Sequence, residues 1–185
     1  MALLKAHHLD SYKHSIRVAE NSFCFAYYLG FSFEHSLKIF NIALLHDIGK
    51  IQVPSVILNK KSHLNELELS LVKTHVNLEN LDLLEEDIVD IISLGLLHHE
   101  RWDGKGYPHG LKFSDIPLES QIVSICDTWD AMTCNRIYHK GLKVNYALDI
   151  LQKEKHLGQF DPILLGRFLS YMRQKIKKAA YPMLG

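Results

Sequence analysis

Phe40-Asn41-Ile42-Ala43-Leu44-Leu45-His46-Asp47-Ile48-Gly49-Lys50 carries an apolar helical stretch directly into a histidine and an aspartate. The pattern predicts a helix from Phe33 to Ile48, starting after Ser32 and stopping near Gly49. Burying His46 and Asp47 at its end is costly unless each finds a partner. Adjacent helix positions point about 100° apart, so one metal ion is an awkward common partner, whereas two neighbouring ions could share the carboxylate as a bridge. His98-His99 repeats the arrangement after the apolar Ile91, Ile92, Leu94, Leu96 and Leu97. Asp127 and Asp130, three apart, share a helical face, as do Asp47 with Lys50 and His14 with Arg17. A single buried histidine is more often a satisfied core group than a ligand. Several helices that each bury His or Asp call for a common reason, and a metal cluster supplies one.

Outward from this stretch the periodicity stays helical. Ile16, Ala19, Phe23, Ala26 and Tyr27 predict a helix from about Ser11 to Leu29, stopped by Gly30. Pro54 opens a short segment at Val56 to Leu58, and Asn65 with Glu68 forms a capping box ahead of a helix carrying Leu67, Leu71, Val72 and His75. Further helices are expected at Glu86–Glu100, Glu119–Met132, Val144–Lys153 and after the Asp161-Pro162 pair. Between Arg101 and Leu118 the close-set turn formers Asp103-Gly104, Gly106, Pro108, Gly110 and Pro117 predict a structured loop. No alternating strand pattern, repeat or linker interrupts the chain, so the fold is expected to be all-α, one domain over residues 1–185 with its core from about 10 to 175.

Composition narrows the function classes. Lys plus Arg equals Asp plus Glu at 21 each, which argues against duplex nucleic acid as partner, because phosphate binding then needs local charge or metal. The apolar run from Ser22 to Phe33 is broken by Gly30 and too short to span a membrane, and nothing at the N-terminus reads as a signal peptide, so a cytoplasmic protein is expected. Cys24, Cys126 and Cys134 lack CxxC spacing and are expected to be buried, reduced thiols. With imidazole and carboxylate but no thiolate donors, the candidate metals are iron, manganese, zinc or magnesium. Two such ions about 3.5–4 Å apart would activate a bridging hydroxide and neutralise a phosphoryl oxygen, as in two-metal phosphodiester hydrolysis.

His46-Asp47 followed by Ile48-Gly49-Lys50 is similar to the HD superfamily of phosphohydrolases, and His98-His99-Glu100-Arg101-Trp102-Asp103-Gly104-Lys105-Gly106-Tyr107-Pro108 closely resembles the HD-GYP signature. The resemblance continues through Ile116-Pro117-Leu118, Asp127 to Thr133 and Gly158-Gln159-Phe160-Asp161-Pro162. It implies an HD-type bundle of about seven helices, a centre of two or three divalent ions, iron or manganese, and hydrolysis of the bacterial second messenger cyclic di-GMP to linear pGpG and in some cases GMP. By position it implies His14, His46, Asp47, His75, His98, His99 and Asp127 as metal ligands, with Asp10 as an optional eighth where the family often has Glu. Lys50 would act beside the catalytic Asp47 on the scissile phosphate. Asp130, Arg136 and Tyr138 fall at substrate-contacting or supporting positions, and a guanidinium suits a phosphate. In the loop, Gly106 supplies backbone freedom, Tyr107 and Pro108 pack, and the outer part is a candidate surface for a diguanylate cyclase or regulatory partner.

Two departures keep alternatives open. His75 is followed by Val76-Asn77 rather than the family's proline, and Asn135 to Lys140 replaces the usual pattern, with His139 at a position commonly Arg or Lys. Another cyclic dinucleotide such as cyclic GMP-AMP is therefore the alternative substrate, and an inactive binding or scaffold module the third option. With no sensory segment ahead of Asp10, the chain is expected to be a stand-alone enzyme or the catalytic part of a longer protein.

Overall fold

The computed structural model describes residues 1–77, 85–135 and 140–180. Among them all regular structure is helical: α1 (Ala2–His7), α2 (Leu9–Tyr28), α3 (Phe33–Leu45), α4 (Ser55–Leu58), α5 (Glu66–Lys73), α6 (Glu86–Leu96), α7 (Leu118–Thr133), α8 (Val144–Glu154) and α9 (Pro162–Ala180). Short 3-10 turns occupy Ile48–Gln52, Thr74–Val76, Leu97–His99 and Phe113–Asp115. Seven of the described α-helices have eight residues or more, in keeping with the expected all-α bundle.

Helices α2, α3, α7, α8 and α9 enclose the main core, where Phe25, Ile39, Ile42, Ile125, Leu151 and Phe168 are buried. Each such side chain contributes about 1.5–3 kcal/mol on leaving water. Phe168 sits at its centre, edge-on to Phe25 at 5.1 Å and to Trp129 at 5.8 Å. A smaller cluster of Val76, Ile92 and Leu96, with Leu45 and Tyr107 against it, fixes the Thr74–Val76 turn on α6.

The buried face of α2 differs from the predicted one. Ser11, His14, Ser15, Val18, Ser22 and Phe25 point inward, while Tyr27 is 61% exposed. Ala19 and Ala26 of the predicted face are buried as well, but the serines carry almost no hydropathy and leave no apolar mark of the rest of this face. Cys24 accordingly lies on the exposed side, contrary to the expected buried thiol, whereas Cys126 is buried and Cys134 half-buried.

The helices that lead to the histidines end about a turn sooner than their apolar patterns predict. Helix α3 stops at Leu45 and α6 at Leu96, and the chain tightens into 3-10 turns beyond them. The capping box of α5 is formed, with Glu68 N to Asn65 Oδ1 and Asn65 N to Glu68 Oε2 both at 2.9 Å. Helix α1, which the sequence pattern did not signal, buries Leu4, and His7 Nε2 donates to the Val53 carbonyl at 2.7 Å. That bond braces the segment immediately after Asp47.

Candidate metal centre

Three histidines share one local device. His46, His75 and His98 each direct Nδ1 at the carbonyl three residues earlier, on Ala43, Val72 and Gly95, at 2.6, 2.6 and 2.7 Å. These carbonyls lie in the last turns of α3, α5 and α6, where the regular i+4 amide partners run out and the ring bonds add to the cap contacts that Thr74 N makes to Val72 and Leu97 N makes to Gly95. A carbonyl can only accept, so Nδ1 carries the proton and Nε2 keeps its lone pair. The same bond therefore caps the helix and aims a donor atom inward.

The inward atoms converge on Asp47, which is 1% exposed. His14 Nε2 and His46 Nε2 stand 3.8 and 3.4 Å from Asp47 Oδ2, while His75 Nε2 stands 3.4 Å from Oδ1. The carboxylate thus faces two groups of donors. His14, His46 and Asp127 form one, His75, His98 and His99 the other, and His46, Asp47 and His98 link them, each trio with ligand atoms within 4.8 Å of one another. All seven sequence-predicted ligand positions fall in these groups; Asp10 joins none of them and lines the neighbouring cavity instead. The donor set fits divalent metal: Nε2 of His46 and of His75 is buried without a hydrogen-bond partner, a costly state that a cation would relieve.

Electrostatics favours the same chemistry. Burial depresses His75 and His98 from the ordinary 6.5 to about 4 and His99 to about 2, so these imidazoles are neutral at pH 7, the form that binds metal. Burial opposes the charge of Asp47, yet Lys50, His46, His75 and His14 hold its carboxyl well below the usual carboxylate range. Asp127 is held down likewise by its bond with His14, at 2.8 Å, against the cost of burial. In metal-free protein the unfolded chain takes up more protons than the folded one between pH 6.5 and about 4. The contribution of His75 and His98 is thus complete above 6.5 and falls as the pH descends through that window, while His14, lowered by burial but raised on balance by Asp127 and Asp130, opposes it in part. The urea midpoint of chelator-treated protein should drop clearly between pH 7 and pH 5; a constant midpoint would contradict neutral, buried histidines.

Asp130 stands in the supporting arrangement, one of the two expected for it. It is 1% exposed, and its oxygens receive His14 Nδ1 at 2.6 Å, Arg17 Nε and Nη2 at 2.7 and 2.9 Å, and Cys134 Sγ at 3.1 Å. Burial and these partners make it a support that orients the His14 ring, with Arg17 compensating its charge. The three-residue spacings of Arg17 from His14 and of Asp130 from Asp127 are the traces of this network in the sequence. Arg136 and Tyr138, together with His139, lie outside the described residues.

Two more supports had no clear sequence signal. Gly49, expected as a helix stop, lies against the backbone of His75: a methyl group built there overlaps the His75 carbonyl oxygen and stands 2.7 Å from its carbon. Close approach fixes that position as glycine. In the loop, Tyr107 stacks on His99 with ring centroids 4.6 Å apart, and its amide donates to the His99 carbonyl at 3.2 Å. Gly106 presses on the backbone of residues 99–101, Pro108 follows through a cis peptide, and the amides of Trp102 and Asp103 donate to Gln159 and Gly158. Lys50 Nζ donates to Asp47 Oδ2 at 2.6 Å and reaches the wall of a cavity of about 620 Å³ that His14 also lines.

The sequence model of the HD domain family matches residues 1–164. The chain belongs to the HD domain family. It is 39% identical over 134 residues to a cyclic di-GMP phosphodiesterase of Thermotoga maritima, covering 70% of this chain and 36% of that protein. It is 33% identical over 168 residues to 3'3'-cGAMP-specific phosphodiesterase 1 of Vibrio cholerae, covering 87% of this chain and 39% of that protein. The fold is similar to that of Bd1817, an HDG"Y"P protein from Bdellovibrio bacteriovorus, with a TM-score of 0.67 at 22% identity over 88% of this chain and 52% of that one. The chain spans well under half the length of these two curated relatives. No helix among the described residues is long and apolar enough to cross a membrane.

Proposed function

We propose that this chain, acting as one HD-GYP domain in the cytoplasm, hydrolyses cyclic di-GMP to linear pGpG, with GMP as the alternative end product. Two or three divalent ions, iron or manganese, would be held by His14, His46, Asp47, His75, His98, His99 and Asp127. The observation that carries this is the convergence of all seven side chains on one buried cluster, with Nε2 of His46 and His75 directed inward and unpartnered. Bound metal supplies positive charge for the phosphoryl oxygens and lowers the pKa of the attacking water. Asp47 links the two donor groups, Asp130 keeps His14 in one orientation, and Tyr107 keeps His99 in place. Lys50 sits where Asp47 meets the cavity and offers its ammonium to a phosphate oxygen as charge develops. The outer part of the loop, where Lys105, His109 and Lys112 are exposed, is proposed as the surface for a diguanylate cyclase or regulatory partner.

Cyclic GMP-AMP is the second substrate reading, favoured by the longer match to the 3'3'-cGAMP-specific relative, 87% of this chain against 70%. Protein purified without oxygen and supplied with iron or manganese is expected to hold about two ions and convert cyclic di-GMP to pGpG. A strong preference for cyclic GMP-AMP in direct competition would transfer the activity to that substrate. Less than about one ion per chain with no turnover would instead indicate a binding module. In the same assay Lys50→Ala should keep its metal and lose about 10²–10³-fold in turnover.

A further inference from the structure

The cavity beside the centre carries an uneven distribution of charge. Its lining includes Lys13, Arg17, Lys50, Lys60 and Lys61, with Asp10 as the single acid among the described residues. Three of these five cations are committed: Arg17 to Asp130 at 2.7 Å, Lys50 to Asp47 at 2.6 Å and Lys60 to Glu68 at 2.5 Å. Lys13 and Lys61 are exposed and enter no salt bridge among the described residues. The cavity, about 620 Å³, has the size of a small-ligand site, and Ile57, Leu58, Leu64 and Val72 give it apolar wall as well.

We infer that Lys13 and Lys61 form a second anion subsite, which takes the phosphodiester that is not being cleaved. This rests on the proposed hydrolysis of a cyclic dinucleotide, a ring with two phosphodiesters. Ions held by the proposed centre would neutralise one of them. The other enters a partly desolvated cavity, where an unpaired negative charge is costly unless cations face it. Lys13, on α2 one residue before His14, and Lys61, in the segment between α4 and α5, bring that charge from two separate elements. Because neither lysine is bound to a carboxylate, each can turn to the ligand without breaking an existing pair. The subsite selects for two phosphates in one substrate and leaves the chemistry to the centre.

The test compares metal-loaded wild type with the double variant Lys13→Gln/Lys61→Gln on cyclic di-GMP and on bis(p-nitrophenyl) phosphate, which has one phosphodiester. Both lysines are exposed, and circular dichroism checks that the fold is kept. The loss in kcat/KM for cyclic di-GMP is expected to exceed the loss for the small ester at least tenfold. It should lie in KM, and it should be restored by the Lys13→Arg/Lys61→Arg pair. Equal losses on both substrates, or no loss on either, would overturn the subsite alone. A wild type that cleaves the small ester but neither cyclic di-GMP nor cyclic GMP-AMP would overturn the proposed function, and the subsite with it.

Discussion

Gly49→Ala is expected to lose the metal and destabilise the fold in one step, although it adds a single methyl group. The added carbon would overlap the His75 carbonyl oxygen and lie 2.7 and 3.0 Å from its carbonyl and α carbons. Every one of these atoms is backbone, so no side chain can swing aside to relieve the contact. The Thr74–Val76 turn must move instead, drawing Val76 from its cluster with Ile92 and Leu96 and His75 away from Asp47. Overpacking of this kind typically costs about 1–3 kcal/mol, and a clash confined to backbone belongs at the upper end. Urea denaturation of the metal-free form separates the packing cost from the metal contribution. Metal content should fall below about half the wild-type value; retention of the full complement with an unchanged urea midpoint would contradict the contact.

Asp47→Ala should have the larger effect on chemistry and the smaller one on packing. The carboxylate faces His14 and His46 through one oxygen and His75 through the other, and Lys50 bonds it at 2.6 Å. Without it the two donor groups lose the anion between them and Lys50 loses its anchor. Neutral imidazoles alone hold a divalent ion with far less charge compensation. Turnover should fall by at least about 10³-fold, the equivalent of about 4 kcal/mol in the barrier. Metal analysis of the same sample should show a matching loss. Near-normal hydrolysis in this variant would remove Asp47 from the proposed mechanism, whatever the metal content.

The parts of the centre that could be read in the sequence are those written locally. His46-Asp47 and His98-His99 stand at the ends of apolar stretches, and that contrast marks them in one dimension. The capping box at Asn65 and Glu68 is equally local, and it forms as predicted. What could not be read depends on contacts between distant segments. Tyr107 is next to Pro108 in sequence, but its ring lies on His99; Asp130 reaches His14 across 116 residues; Gly49 meets the backbone of His75. The inward face of α2 is only partly legible because its buried serines weigh little in an apolar pattern. Helix ends were placed too late for a related reason. Apolar periodicity continues through Ile48 and Leu97, whereas hydrogen bonding has already changed to the tighter turn that the histidines require.

The imidazole bonds at the ends of α3, α5 and α6 have a dynamic consequence. The last turn of a helix ordinarily frays at small cost, and it does so independently of events elsewhere. Here the final carbonyls of Ala43, Val72 and Gly95 are held by the rings of His46, His75 and His98. Unwinding one of these turns frees its ring to rotate, and rotating a ring removes one of the bonds that hold its turn. If the proposed ions are bound, fraying and release of an ion would become a single opening event. With the proposed ions in place, three helix termini that otherwise breathe separately would open and close with the occupancy of one centre.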